Sequence, residues 1–373
     1  MKLLHLSDLH LGKRVNEFSM IEDQKYILTV IINIIDEEKP DGVLIAGDVY
    51  DRSVPSEDAM QLWDEFLNKL AMRKVKVFAI SGNHDSAVRF SDHTKLVSQA
   101  GIHLSPVYNG KVEPLVLEKG NEKVNIYLLP FIKPVTVRQF FDEEIKDYTD
   151  ACRLAVEQME INEKECNILV AHQFVTGAER CESEEVTVGG LDNVDASVFD
   201  AFDYVALGHI HGKQSIGRET VRYCGTPLKY SFSEKNHKKS VTILEIDNKK
   251  ISIRETELVP MHDLREIRGT YNELTAKDNY EGTEVNDYIH AVLTDEDDVP
   301  NAMAKLQIIY PNLMKLSYDN KRTAENRIIN GTDDLENKSP LDLFADFYEM
   351  QNNREMSDEQ REFVSDLISD IWR

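Results

Sequence analysis

The stretch YVALGHIHG, residues 204–212, runs an apolar strand straight into His209 and His211, with Gly208 and Gly212 beside them. Imidazoles bind metals and carry protons near neutral pH, and glycine lets a backbone come close to a ligand. One such pair serves as a polar cap as readily as a metal site, so the question is whether other strands end alike. They do: LLHLSDLH ends in Asp8 and His10, GVLIAGD in Asp48, KVFAISGNHD in Asn83, His84 and Asp85, and NILVAH in His172. Asp, Asn and Gly are ordinary turn residues. Turn chemistry therefore accounts for Asp48 or Asn83 singly, but it does not call for histidine at four of five strand ends.

In open α/β sheets the loops leaving the carboxyl ends of the strands converge on one crevice, where ligands bind. Asp, Asn and His without a thiolate suit borderline-to-hard divalent ions. Seven such donors are too many for one tetrahedral zinc. A two-metal site sharing one carboxylate fits the count, and ions about 3.5–4 Å apart clamp an in-line displacement at phosphorus.

The motifs DLH, GDVYD, GNHD, AHQ and GHIH, in this order and spacing, resemble the five motifs of the calcineurin-like metallophosphoesterase superfamily. Longer stretches, HLSDLHLGK, SGNHDSAVRFS, VAHQFVTGAE, VGG, FDYVALGHIHGKQ and YCGTPLKYSFSE, resemble its DNA double-strand-break-repair nucleases, densely to about Ile246 and more sparsely beyond. The resemblance implies an α/β fold: a four-layer α/β/β/α sandwich with a small α+β capping domain over the cleft and a C-terminal helical tail. It implies a first ion held by Asp8, His10, Asp48 and His211, and a second by Asp48, Asn83, His172 and His209, with manganese preferred and magnesium as the alternative. His84 is then the catalytic histidine that touches the phosphate and not the ions. A water between the two ions is acidified enough to attack phosphorus near neutral pH. The implied enzyme is a DNA exonuclease and endonuclease that processes ends and hairpins in repair, recombination and replication. It works as a homodimer in a heterotetramer with an SbcC-type ATPase of the structural-maintenance class. The other readings are a non-catalytic DNA-end clamp and a phosphoesterase of small substrates. A clamp has no need of seven donors, and a small phosphatase has no need of the tail and cap.

Around these positions several readings stay open. Asp85 either fixes the tautomer of a ligand histidine or stabilises the turn after Asn83 and His84. Archaeal and eukaryotic relatives carry a histidine three residues after the bridging aspartate, where this chain has Asp51, so their balance of exonuclease and endonuclease activity does not carry over. Arg52 either grips phosphate, as a matching arginine does in protein phosphatases of the superfamily, or is a solvated loop residue. Lys13, Arg14, Arg89 and Lys229 are candidate DNA contacts or plain surface charges.

The elements that must position these groups follow from periodicity. Met20, Gln24, Ile27, Ile31 and Ile34 share one helical face, as do Ala59, Leu62, Trp63, Phe66, Leu67 and Leu70. The second face is broad enough to suggest either a core helix or a homodimer surface. KSVTILEID and KISIRETEL read as a hairpin turning at Asn248. The expected domains are 1–259, nuclease; 260–318, a strand–helix–strand cap; 319–338, a polar linker; and 339–373, helices. In the last, Ser339 and Pro340 start a helix with Leu341, Phe344 and Tyr348 on one face. Ser357 and Gln360 form a capping box ahead of Phe363, Leu367, Ile368 and Ile371. This surface either packs on the cap or, as the resemblance implies, docks on the coiled-coil root of the ATPase.

The chain of 373 residues carries 67 acidic against 43 basic side chains, a net charge of −24. About half of the excess falls in the last hundred residues or so, including TDEDD at 294–298, which reads as a solvated turn. Backbone binding to DNA rests on Lys and Arg, so much of the DNA grip is expected from the partner. The apolar amino-terminal stretch is too short for a signal peptide, and no run reaches spanning length. Cys152, Cys166, Cys181 and Cys224 form no CxxC pair, which suits reduced thiols and a cytoplasmic, membrane-free location.

Overall fold

Strands that are apolar at every position must be covered on both faces, and the first unit of this protein covers them with two layers. The computed structural model describes residues 1–92, 94–184, 192–320 and 356–371, with Leu341, Phe344, Ala345 and Tyr348. It divides into two units, Met1–Asp263 and Leu264–Arg373. The VGG stretch, Ser339, Pro340 and the linker beyond Asn320 lie outside the described residues.

The first unit begins β1 (Lys2–Leu6), α1 (Ile21–Glu38), β2 (Gly42–Ala46), α2 (Glu57–Met72), β3 (Lys76–Ile80) and β4 (Ile102–Leu104). It continues through β5 (Leu115–Lys119), β6 (Glu122–Leu129), α3 (Tyr148–Glu157), β7 (Cys166–His172) and β8 (Tyr204–Gly208). It closes with β9 (Gln214–Ile216), β10 (Arg218–Tyr223), β11 (Ser240–Asp247) and β12 (Lys250–Glu257). Two six-stranded sheets result, in the orders β12-β11-β1-β2-β3-β4 and β9-β10-β8-β7-β6-β5. Within them β1, β2, β3 and β4 run parallel, as do β6, β7, β8 and β10, and antiparallel strands finish the edges.

The sheets pack face to face through Leu3, Leu44, Ala46, Phe78 and Ile80 on one side and Val124, Ile126, Ile168, Val170 and Ala206 on the other. The alternate residues of the same strands face the helices, which completes the four-layer α/β/β/α sandwich. On the outer face of the second sheet, Ala151, Leu154 and Ala155 of α3 pack with Tyr127, Leu169 and Val205. Burying a leucine or valine such as Leu154, Leu169 or Val205 contributes about 1.5–3 kcal/mol. On α2, Ala59, Leu62, Trp63, Phe66 and Leu70 are buried within the chain itself. The broad apolar face is therefore core, which removes the reason to read it as a homodimer surface; Leu67 stands at its partly exposed edge. The β11–β12 hairpin turns at Asn248 and Lys249, with φ of 46° and 66° as a two-residue type I′ turn requires.

The second unit contains β13 (Leu264–Gly269), α4 (Tyr271–Thr275), β14 (Tyr288–Leu293), α5 (Ala302–Leu306) and β15 (Leu313–Tyr318), and its three strands are parallel. Ile289, Ala291, Leu293, Leu306 and Leu313 form its core. The strand–helix–strand pattern is present, and β13 precedes it as a strand that periodicity does not reveal, because Arg265, Glu266 and Arg268 interrupt its apolar run. The TDEDD segment is a bend, with the Asp295 carboxylate accepting from Tyr271 N at 2.7 Å. Near the carboxyl end lies α6 (Asp358–Ile371). Its capping box forms: Ser357 N donates to Gln360 Oε1 at 3.0 Å and Gln360 N to Ser357 Oγ at 3.3 Å.

Candidate metal centre

The five strand ends singled out above meet. Three belong to the first sheet, β1, β2 and β3, and two to the second, β7 and β8, so the crevice opens where the carboxyl edges of both sheets coincide. Close approach is built into the glycines. A Cβ on Gly208 would stand 1.8 Å from Ala46 O, one on Gly47 would stand 2.4 Å from His172 Nδ1, and one on Gly82 would stand 2.1 Å from Asp48 Oδ1. The donors themselves leave their strands in strained backbone: Asp8, His10, Asp48 and His209 have φ of 52°, 46°, 48° and 100°. Such conformations persist only where the surroundings over-determine them. Here His10 N donates to Asp48 O at 3.0 Å, Asp8 N to Gly47 O at 3.0 Å, and His209 N to Asp8 Oδ1 at 3.0 Å.

All seven candidate donors are in one cluster, and Asp8, His10, Asp48, His172, His209 and His211 are buried. Asp8, His10 and His211 offer ligand atoms within 4.8 Å of one another, as do Asp8, Asp48 and His172, and His10, Asp48 and His84. Asn83 Oδ1 stands 2.9 Å from both His172 Nε2 and His209 Nδ1. His10 Nε2 faces His211 Nε2 at 3.1 Å. Asp48 Oδ2 lies 3.3 Å from His172 Nε2, 3.8 Å from His10 Nε2 and 4.0 Å from His84 Nε2.

The electrostatics are those of a site short of positive charge. Burial pushes the Asp8 carboxyl up to about 7, with the Asp48 charge acting in the same direction. Burial alone would raise Asp48 too, but the rings of His172, His10 and His84 outweigh it and hold that carboxyl well below the usual range. Burial would lower His172, yet the Asp48 carboxylate wins and lifts it to about 9. Burial holds His209 down to about 3 and lowers His10 and His211. Ring nitrogens that face one another and buried carboxylates that face rings are what divalent cations satisfy. The donor set, oxygen and imidazole without thiolate, fits two of them.

The remaining expectations divide. His84 stands beside the cluster, its Nδ1 donating to Asp51 O at 2.9 Å. Asp51 Oδ1 lies 3.7 Å from His10 Nδ1 and accepts from Lys13 Nζ at 2.7 Å. Asp85 meets the turn-stabilising reading and not the histidine one. Its carboxylate accepts from Val49 N, Tyr50 N and Gly82 N at 3.1, 2.9 and 2.9 Å, tying the β2 and β3 ends together. Arg52 is exposed, 3.9 Å from Asp51 Oδ2, and Arg89 is exposed as well. Arg14 donates to Glu17 O. The Lys229 ammonium is paired with Asp263 at 2.8 Å and donates to Lys235 O at 2.7 Å. In the tail, Phe344, Phe363 and Leu367 are exposed, and Leu341 and Tyr348 are half-buried.

Several residues beside the centre were not visible from sequence patterning. Phe131 lies against His172 and His209, with ring centroids 6.2 and 6.4 Å apart, and Arg180 stacks over Phe174 at 3.5 Å. Ser183, Glu184, Glu234 and Lys239 surround His211. A lone Ser or Glu in a polar loop carries no periodic signal, although Glu234 does fall within the YSFSE stretch that bears the family resemblance.

Residues 1–213 match the family model described as calcineurin-like phosphoesterase, and residues 260–352 match the one described as type 5 capsule protein repressor C-terminal domain. The chain is 33% identical over 381 residues to the D subunit of the nuclease SbcCD of Staphylococcus epidermidis, covering 100% of this chain and 99% of that one. It is 35% identical over 322 residues to the protein of the same name from Staphylococcus saprophyticus, covering 85% and 84%. A dimetal phosphatase from Danio rerio is similar in structure at 12% identity and a TM-score of 0.44, over 69% of this chain and 96% of that one.

Proposed function

The chain belongs to the SbcD family of calcineurin-like phosphoesterases, and on that premise we propose that it is a metal-dependent DNA nuclease hydrolysing phosphodiesters at the strand-end centre. One observation carries the reading: seven oxygen and imidazole donors from two sheets face one another in a buried cluster. Asp8, His10 and His211 would hold one divalent ion and Asn83, His172 and His209 the other, with Asp48 within reach of both. Manganese is the first choice and magnesium the second.

Bound there, the two ions supply positive charge and an acidified water for attack at phosphorus. The protein supplies the rest. Burial lowers His10, His209 and His211, which favours the neutral rings whose lone pairs a metal takes. His84 has Nδ1–H held by the Asp51 carbonyl, so Nε2 is the atom that turns to a phosphate oxygen and meets or donates the proton there. Lys13 is paired with Asp51 at 2.7 Å, and the Asp51 carbonyl accepts from His84, which places an ammonium near the catalytic ring. Arg52 and Arg89 are exposed and can meet the backbone of the DNA.

The nuclease works in the cytoplasm with an SbcC-type ATPase docked on the tail helices, in DNA repair and recombination, as two paired copies in a heterotetramer. Among the described residues no helix is long and apolar enough to cross a membrane, and all four cysteines are free thiols. The test is cleavage. The purified chain with Mn²⁺ should cut single-stranded DNA, lose that activity in EDTA, and leave p-nitrophenyl phosphate esters largely untouched. Metal-dependent ester hydrolysis without DNA cleavage would make it a small-molecule phosphoesterase, and DNA binding without cleavage a clamp.

A further inference from the structure

We infer that Ser183 and Glu234 form a relay that positions His211 and thereby sets the affinity of the ion on the Asp8–His10–His211 side, while the ion on the Asn83–His172–His209 side is independent of it. The inference rests on the two-ion reading and adds an inequality between the two sites.

A serine hydroxyl has one proton to give. Ser183 Oγ lies 2.7 Å from Glu234 Oε1 and 2.7 Å from His211 Nδ1. A carboxylate only accepts, so the hydroxyl proton goes to Glu234 and the hydroxyl oxygen accepts from His211 Nδ1–H. That arrangement fixes the tautomer of His211 and leaves the lone pair on Nε2, the atom facing His10 at 3.1 Å. Glu234 is kept as a carboxylate by Lys239, whose ammonium is 2.5 Å from Oε2 and also donates to His211 O at 3.0 Å and Thr226 Oγ1 at 2.6 Å. Glu234 is fully buried and Lys239 nearly so. A buried ion pair adds little net stability; this one holds His211 by its ring and by its carbonyl. Glu184 holds the same residue by its amide, accepting from His211 N at 2.6 Å.

The other side is built differently. His172 Nδ1 donates to Ala46 O at 2.7 Å, a main-chain carbonyl inside β2. One ligand ring is thus oriented by the sheet, and the other by a side chain on the irregular segment that leaves β7. That segment is tied down by side-chain bonds: Gln214 accepts from Glu179 N at 2.8 Å and donates to Glu179 O at 2.9 Å, and Ser233 Oγ accepts from Glu182 N at 3.1 Å. Outer partners of metal-bound histidines typically change affinity ten- to a hundred-fold when removed.

Calorimetric titration of the full chain with Mn²⁺, read alongside the Mn²⁺ paramagnetic resonance signal, tests this on the wild type, Ser183→Ala, Ser183→Thr and Glu234→Gln. Two ions should bind to the wild type. Ser183→Ala should weaken one of them about ten- to a hundred-fold and leave the other unchanged, and Ser183→Thr, which keeps the hydroxyl, should restore it. Glu234→Gln should weaken the same ion. The melting temperature of the metal-free Ser183→Ala chain should match that of the wild type. Wild-type affinity for both ions in Ser183→Ala would overturn the relay, as would equal weakening of both ions together with a lower metal-free melting temperature. A wild-type chain that takes up a single ion would overturn the two-ion reading and the inequality with it.

Discussion

His84 and Asp48 sit 4.0 Å apart and have opposite duties. His84 leans on a main-chain carbonyl through Nδ1, and its proposed duty is toward the phosphate, so His84→Ala should retain both ions and lower turnover by about 10²–10⁴-fold, the range for a general acid or base. Metal analysis of the purified variant decides it: stoichiometry that falls with activity makes His84 a ligand. Asp48 is within 4 Å of His10, His84 and His172, and Asp48→Ala should lose both ions along with all turnover. The donors were legible in the sequence because each ends an apolar strand and histidine is scarce at turns. Their supports were not. Asp85 has the same residue type at a similar strand end, yet it binds amides, since only the three-dimensional meeting of the β2 and β3 ends decides which donors it meets. Ser183 and Glu234 lie far apart in sequence and carry no period at all.

At the scale of elements, α2 and α6 show why apolar stripes alone do not assign surfaces. Both present a 3.6-residue stripe. The α2 stripe is core: Phe66 is 1% exposed, so Phe66→Ala should destabilise the isolated chain by about 3–5 kcal/mol in thermal or urea unfolding. A loss of self-association without a loss of stability would return that face to a dimer interface. On α6, Phe363 is 66% exposed and Leu367 44%, while Ile368 is half-buried. Phe344, ahead of α6, is 42% exposed, so Phe344→Asp and Leu367→Asp should leave the melting temperature of the isolated chain within a degree or two, spare Mn²⁺-dependent cleavage of single-stranded DNA, and abolish capture by an SbcC-type ATPase. A destabilised variant that still binds the ATPase would contradict the docking assignment. The sandwich strands and the β11–β12 hairpin were readable from period and turn chemistry. β13 was not, because a strand with one exposed face and three charged residues resembles a polar loop.

The whole molecule carries a net charge of −24, and two of its candidate DNA-binding lysines, Lys13 and Lys229, are already paired with Asp51 and Asp263. Binding of single-stranded DNA by the isolated chain should accordingly be weak, with a shallow dependence on salt, since each phosphate neutralised adds about −0.7 to the logarithmic slope. Fluorescence anisotropy across a salt series checks this, and a steep slope without the ATPase would mean that this chain supplies the basic surface. Crystals of the chain grown with Mn²⁺, measured at the manganese absorption edge, should give two anomalous peaks about 3.5–4 Å apart, one among Asp8, His10 and His211, the other among Asn83, His172 and His209, with Asp48 between them. A single peak, or peaks away from these residues, would contradict the two-ion centre.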